Sequence, residues 1–283
     1  MDKDLYVNEL LKPLTQKETI TVRKLRKLYR QFAKDFLSEI SDIYTRLDQG
    51  EELTYADINQ FGDLEKLREQ IMALANQLDK KGRKEIIRLL EDTYDFSYEW
   101  MAATVNNAID DKLKDSTPSL PQLVEETRKN AVYGLRLEES LERHRKLIVK
   151  EINEAIERGF IEGERYVGIA KKVNAAFESS FSRSVTIART EAHRVREKAT
   201  HTSAVDAAAQ GVVMEKVWNN VGDERVRHSK RANHRSLQGQ RRPVNERFDL
   251  GNGVTAQAPG QSGSASNDIN CRCFVTYEIV GLR

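Results

Sequence analysis

The sequence predicts a mainly α protein, with an extended helical N-terminal region followed by a small α+β C-terminal module. Three observations carry this. Apolar residues recur every three or four positions through most of the first two hundred residues, the period of a helix with one buried stripe. After Gly211 the period changes, and β-branched and aromatic residues begin to alternate. Charged residues make up 32% and hydrophobic residues 39%, a balance suited to long helices that bury narrow seams. The chain divides on this reading into a helical region, 1–182, and a C-terminal module, 183–283.

Taken in order, a short opening segment is expected to end near Pro13. Leu25, Phe32, Phe36 and Ile40 then lie on one face of a helix from Glu18 to Leu47, stopped by Asp48, Gln49 and Gly50. A second helix starts at Thr54–Asp57, carries Ile58, Phe61, Leu67, Ile71 and Leu78, and is expected to end at Lys80–Gly82. A third runs from Arg83 to about Leu113 with Leu90, Tyr94, Tyr98, Met101 and Val105 inward. Pro118 and Pro121 break the chain between Asp115 and Leu123, and a shorter helix follows from Pro121. Leu141, Ile148, Ile152, Ile156 and Phe160 mark a fourth long helix from Glu138. The last, Ser182 to Gln210, contains the run IARTEAHR and stops at Gly211.

In the module, Val212–Trp218 reads as a strand. A second strand carries Cys271, Cys273, Val275, Tyr277 and Ile279 on one parity, an apolar set expected to be the buried face. The long irregular stretch between them is of the kind that is functional or pinned by something.

Composition narrows the function. Two cysteines in 283 residues point to a reducing compartment without a disulfide framework. The opening MDKDLYVNEL has no basic or apolar leader region, and no run of eighteen apolar residues occurs, so a soluble protein without a membrane is expected. Net charge is only +2, but from Val212 onward there are 11 basic against 7 acidic residues. Most of the excess lies between Asp223 and Arg247. Arg225, Arg227, Arg235, Arg241 and Arg242 are the candidate contacts to a DNA backbone. The stretch has no aromatics for base stacking, so such contact would be sequence-blind. The alternative is a solvated basic loop.

His234, Cys271 and Cys273 are candidate zinc ligands, although one residue between the cysteines departs from the usual ligand spacing. Without metal the thiols are small buried apolar groups, and no cofactor is the reading adopted. A Cys–His nucleophile has no strand-turn-helix elbow around it, and the glycines at 251, 253, 260 and 263 do not form a phosphate loop. No enzyme activity is therefore expected. Glu191 and Arg194 form an i,i+3 pair that on sequence grounds is an ordinary exposed helix pair.

The ordered set IARTEAHR, Trp218, DERVR, HRSLQGQ, Phe248, an Ala-Pro step at Pro259 and finally INCRC resembles the phage minor head protein family, with its Mu F-like head morphogenesis domain. The match covers about Ile187 to Val280. The resemblance implies that Arg189, Glu191, Trp218, Asp223 and Pro259 are structural residues of the motif. It implies a virion component of the capsid interior near the portal, assembled in the host cytoplasm and aiding head assembly, DNA packaging or delivery. Partners would be the portal protein, phage DNA without sequence preference, and scaffolding or major capsid protein. Some relatives carry a CxxC pair followed by His and CRC, a zinc-like set. Here Arg231 and His234 fall at the two positions of that pair, so the set is incomplete. Relatives also occur fused to toxin or ADP-ribosyltransferase domains, for which the sequence to Arg283 leaves no room. The alternative function is a nucleic-acid-processing enzyme or toxin-like domain with a Cys/His zinc centre at the C-terminus.

Overall fold

Helix begins almost at once. The computed structural model describes residues 3–47, 63–109, 137–162 and 164–283. Helix α1 (Lys3–Leu5) passes through a π-helical segment (Tyr6–Leu11) into α2 (Lys12–Leu47) without a break. The expected stop near Pro13 is thus corrected. A proline inside an α-helix lacks one hydrogen bond and crowds the preceding turn. The widened turn just before it, in which the Lys12 amide bonds the Val7 carbonyl, accommodates the ring. Tyr6 and Leu10 are fully buried on this segment, so packing holds the turn in place.

Helix α3 (Asp63–Ala108) replaces the second and third expected helices with one. Gly82 is not the expected terminator, because the apolar stripe runs through it, from Ile71, Ala75 and Leu78 to Ile86 and Leu89, all buried. A helical glycine costs roughly 1 kcal/mol relative to alanine, too little to stop a helix with an uninterrupted packed face. The stop at Asp48–Gly50, the start at Thr54–Asp57 with Ile58 and Phe61, and the segment from Asp115 through the helix after Pro121 lie outside the described residues.

Helix α4 (Leu137–Ile161) buries Leu141, Ile148, Ile152, Ile156 and Phe160 as expected. Helix α5 (Tyr166–Ala209) starts sixteen residues before the expected Ser182. Ser180 and Ser184 are buried within it, with Ser180 Oγ 2.8 Å from His144 Nε2. Gly211, at φ +99°, ends it where expected.

The module is built on β1 (Val212–Asn219), flanked by β4 (Arg241–Pro243) and β7 (Phe274–Leu282) in the order β4-β1-β7, both antiparallel to β1. Between them lie two small hairpins, β2 (His228–Ser229) with β3 (Ala232–Asn233) and β5 (Phe248–Gly251) with β6 (Val254–Ala256), and a single turn of helix, α6 (Ala265–Asp268). The last strand starts at Phe274, so Cys271 and Cys273 precede it, although both stay buried. Strict alternation also fails between 274 and 277, where both parities are buried. Val275 and Tyr277 face the core with Met214 and Trp218. Phe274 faces the opposite way and stacks on Tyr6 at 4.8 Å, beside Leu10 and Leu14. A sheet covered on both sides loses the alternating pattern of one facing water.

The chain forms two compact units that are not contiguous in sequence. One comprises Met1–Thr19, Ile87–Glu138 and Ala188–Arg283 and holds the module; the other comprises Ile20–Ile86 and Glu139–Ile187. The core of the second is helical, with Phe36 and Phe177 packed at 6.3 Å. Among the described residues no helix is long and apolar enough to cross a membrane.

Candidate functional site

The IARTEAHR run lies in α5 and works as a clamp on the irregular stretch. Thr190 Oγ1 accepts the Asn270 amide at 3.2 Å. Arg194 donates to Glu191 at 2.9 Å and, through Nε, to the Gly260 carbonyl at 2.9 Å. The expectation of an exposed Glu191–Arg194 pair is corrected, since the two side chains are 7% and 4% exposed. Burial raises the Glu191 pKa, and Arg194 opposes the rise. One turn along, His193 Nε2 donates to the Cys273 carbonyl at 2.7 Å, and Glu197 Oε2 accepts the Val275 amide at 3.1 Å. Glu197 is fully buried and also accepts from Tyr6 Oη and Arg196. Arg189 is the exposed member, paired with Glu18 at 2.8 Å.

The other motif residues have comparable duties. Pro259 is buried, and Gly260, at φ +76°, lies so close to α5 that a Cβ there would sit 2.8 Å from His193 Nδ1. Asp268 is fully buried and accepts the Ser262 hydroxyl at 2.7 Å and the Gly263 amide at 2.8 Å, which shapes the Gly/Ser loop. Asp223 pairs with Arg272, and Arg227 donates to the Ile269 carbonyl, so DERVR is strapped to INCRC at two points. Trp218, fully buried, meets His234 and Phe248 edge-on at 5.6 and 5.2 Å.

Within this frame His234, Cys271 and Cys273 come together. All three are at least 96% buried, and their donor atoms lie within 4.8 Å of one another. His234 Nε2 donates to Asn267 Oδ1 at 3.0 Å, which leaves Nδ1 to face both sulfurs at 3.5 Å. This outer hydrogen bond selects the tautomer a metal ligand requires. The hydrogen bond from Cys273 holds the Cys271 thiol well below its usual range, and Cys273 is correspondingly raised. The donor set therefore suits three positions of a tetrahedral zinc site. Among the described residues no fourth Cys, His or acidic ligand joins it, and Arg231 is exposed.

The basic candidates separate once their partners are seen. Arg241 is paired with Glu215 and Glu278, Arg225 with Asp223 at 3.5 Å, and Arg242 Nη1 donates to the Arg241 carbonyl. Arg227 is held by Ile269. Arg235 is exposed, and with Lys230 and Arg231 of the β2–β3 hairpin it has no side-chain partner among the described residues.

His193, Glu197 and Asn267 were missed as site residues, since nothing in their spacing announces a clamp or an imidazole orienter. Lys216 was missed too. It is fully buried in β1, donates to the Gln257 carbonyl at 2.9 Å and Oε1 at 2.6 Å, and lies 5.2 Å from the Phe248 ring. Burial, with Arg247 nearby, pushes its pKa down to about 7. The unfolded chain then binds more protons than the folded one between this value and the usual lysine value of 10.5, so stability should rise with pH in that window. We expect a gain of roughly 2 kcal/mol between pH 7 and 9 in urea denaturation. Cys271 adds a slope of the same sign, so the smaller gain expected in Lys216→Met isolates the lysine. An unchanged gain in that variant would remove Lys216 as its source.

The site is thus a long helix that clamps a small sheet through an ARTE run, closed by a buried His–Cys–Cys cluster. Residues 150–276 match the family described as Phage Mu protein F like protein. Over 278 residues, 98% of this chain and 86% of the relative, the chain is 32% identical to Minor head protein GP7 of Bacillus phage SPP1. It belongs to the phage minor head protein family and is a virion-associated structural protein of head morphogenesis. It is also 34% identical over 149 residues to the NAD(+)--arginine ADP-ribosyltransferase EFV of Enterococcus faecalis, across 53% of this chain but only 29% of that protein. No solved structure matches.

Proposed function

We propose that this protein sits in the capsid interior near the portal, contacts the portal protein and scaffolding or major capsid protein, and aids head assembly and DNA packaging or delivery. The observation that carries this reading is the likeness to a minor head protein along nearly the whole chain. Residues 183–283 are the module the motif defines, and the helical remainder supplies surface for partners. Quantitative mass spectrometry of purified procapsids and filled heads tests the placement. Recovery only in the unassembled pool would overturn it.

Contact with DNA is read as sequence-blind and carried by Lys230, Arg231 and Arg235, exposed basic side chains with no side-chain partner among the described residues. Changing all three to Ser should lower affinity for a random duplex and flatten the log–log salt dependence by roughly 2–3. An unchanged slope would return them to the role of a solvated loop.

We infer no catalytic role. The polar groups of the module are spent on tying segments together: Glu191, Glu197 and Asp268 each have backbone or basic partners inside the protein. The alternative, a nucleic-acid-processing or toxin-like domain, would require cleavage of nucleic acid by the purified protein that is lost in Cys271→Ser.

The thiol cluster is read as metal-free, and elemental analysis decides the point. Without metal, Cys271→Ser should cost about 1–3 kcal/mol, the penalty for a poorly satisfied buried hydroxyl. Zinc at one equivalent after dialysis would overturn this, and the same variant would then unfold the module because metal binding supplies folding free energy.

A further inference from the structure

The helical unit, Ile20–Ile86 with Glu139–Ile187, contains a cavity of about 450 Å³ between α2 and α5, lined by none of the motif residues discussed so far. Its origin is a small residue at a helix contact. Along α2 the side chains facing α5 are large at Tyr29 and Phe36 but shrink at Ala33, opposite Phe177 and Asn174. Tyr166 bridges to the Leu37 carbonyl at 3.1 Å, and Tyr29 meets Phe181 at 5.8 Å. These contacts hold the helices apart at a set spacing, so the space over Ala33 stays open.

The walls differ chemically. On α2, Arg30 and Lys34 are exposed one turn apart, and neither has a side-chain partner among the described residues. On α5, Glu178 lines the other side. Val167, one heptad before Asn174 and so on the same strip of α5, is 76% exposed. From Arg30 to Ser41 the α2 wall is roughly 16 Å long at 1.5 Å per residue, about three helical turns.

We propose that this groove is a docking site for an acidic amphipathic helix of a partner protein. Such a helix would lay apolar side chains over Ala33 and Phe177 and against Val167, with carboxylates beside Arg30 and Lys34. A basic or neutral flank would face Glu178, which sets its orientation. The lining mixes apolar Ala33, Leu37 and Phe177 with Ser38, Ser41 and Asn174. With the exposed Val167 beside it, this mixed surface favours an amphipathic protein segment over a nucleic acid, whose backbone would meet Glu178 and gain nothing from Val167. The inference does not depend on the thiol cluster or the basic hairpin.

The test uses the full-length protein and a fluorescent helical peptide of about four turns, with Leu at i, i+3, i+4 and i+7 and Glu along one flank. Saturable binding is expected. Arg30→Glu with Lys34→Glu should weaken it about tenfold, and a peptide with Lys on that flank should bind this variant better than the original protein. Ala33→Trp, which fills the cavity, should abolish binding while the circular dichroism spectrum is unchanged. Absence of saturable binding overturns the proposal, as does binding indifferent to these substitutions. Displacement of the peptide by a random DNA duplex in the Lys230, Arg231 and Arg235 serine variant would assign the groove to nucleic acid instead. Failure of the head placement would leave these peptide results unaffected, so the two readings fall separately.

Discussion

Arg194→Ala is expected to destabilise the module-bearing unit by about 3–5 kcal/mol. The substitution removes the partner of a carboxylate that is 7% exposed and deletes a hydrogen bond to the Gly260 carbonyl. What remains is a buried charge with Asp268 as an unfavourable neighbour. Glu191 then lowers its cost by taking up a proton, so the loss should be smaller at pH 5 than at pH 7. Glu191→Gln with Arg194→Met should recover much of the stability, because two neutral groups of similar volume need no charge partner. Urea denaturation followed by tryptophan fluorescence reports on the right region, since Trp100 and Trp218, the two tryptophans of the chain, both lie in this unit. A loss below about 1 kcal/mol would show that the pair is as dispensable as an exposed one.

Gly260→Ala should cost roughly 2–4 kcal/mol through two separable effects. At φ +76° any side chain is strained, and the new Cβ would meet His193 Nδ1 at 2.8 Å and Arg194 Cγ at 3.0 Å. The imidazole cannot swing aside without giving up its 2.7 Å hydrogen bond to the Cys273 carbonyl. Gly239→Ala is the control. It has φ +77° but nothing within 4 Å of its added Cβ, so it should show the backbone effect alone, about 1 kcal/mol. Equal losses in the two variants would mean that α5 yields to the extra methyl and that the clamp is looser than its hydrogen bonds indicate. A larger loss at 260 locates the stiffness of the module in the contact between the Pro259–Gly260 step and the helix.

The sequence by itself determined the class of the protein and the order of its parts. Helical periodicity placed the buried stripes correctly, as with Leu141 through Phe160, because a helix in contact with others must keep one face apolar wherever those others lie. Gly211 marked the change from helix to sheet, since φ +99° is strained for any other residue. The run from IARTEAHR to INCRC identified the family. Continuity and partnership were decided only by the tertiary structure. Pro13 and Gly82 each look locally like interruptions, and each lies inside a helix because packing outweighs a propensity penalty of about 1 kcal/mol or a local widening of the turn. Phe274 broke the expected alternation because Tyr6, far away in sequence, covers the second face of its strand. Whether Glu191–Arg194 is a surface pair or a buried clamp, and whether Arg241 or Lys230 finds a carboxylate partner, depends on which segment lies against each. That information lies in long-range contacts, and no spacing within a single segment encodes it.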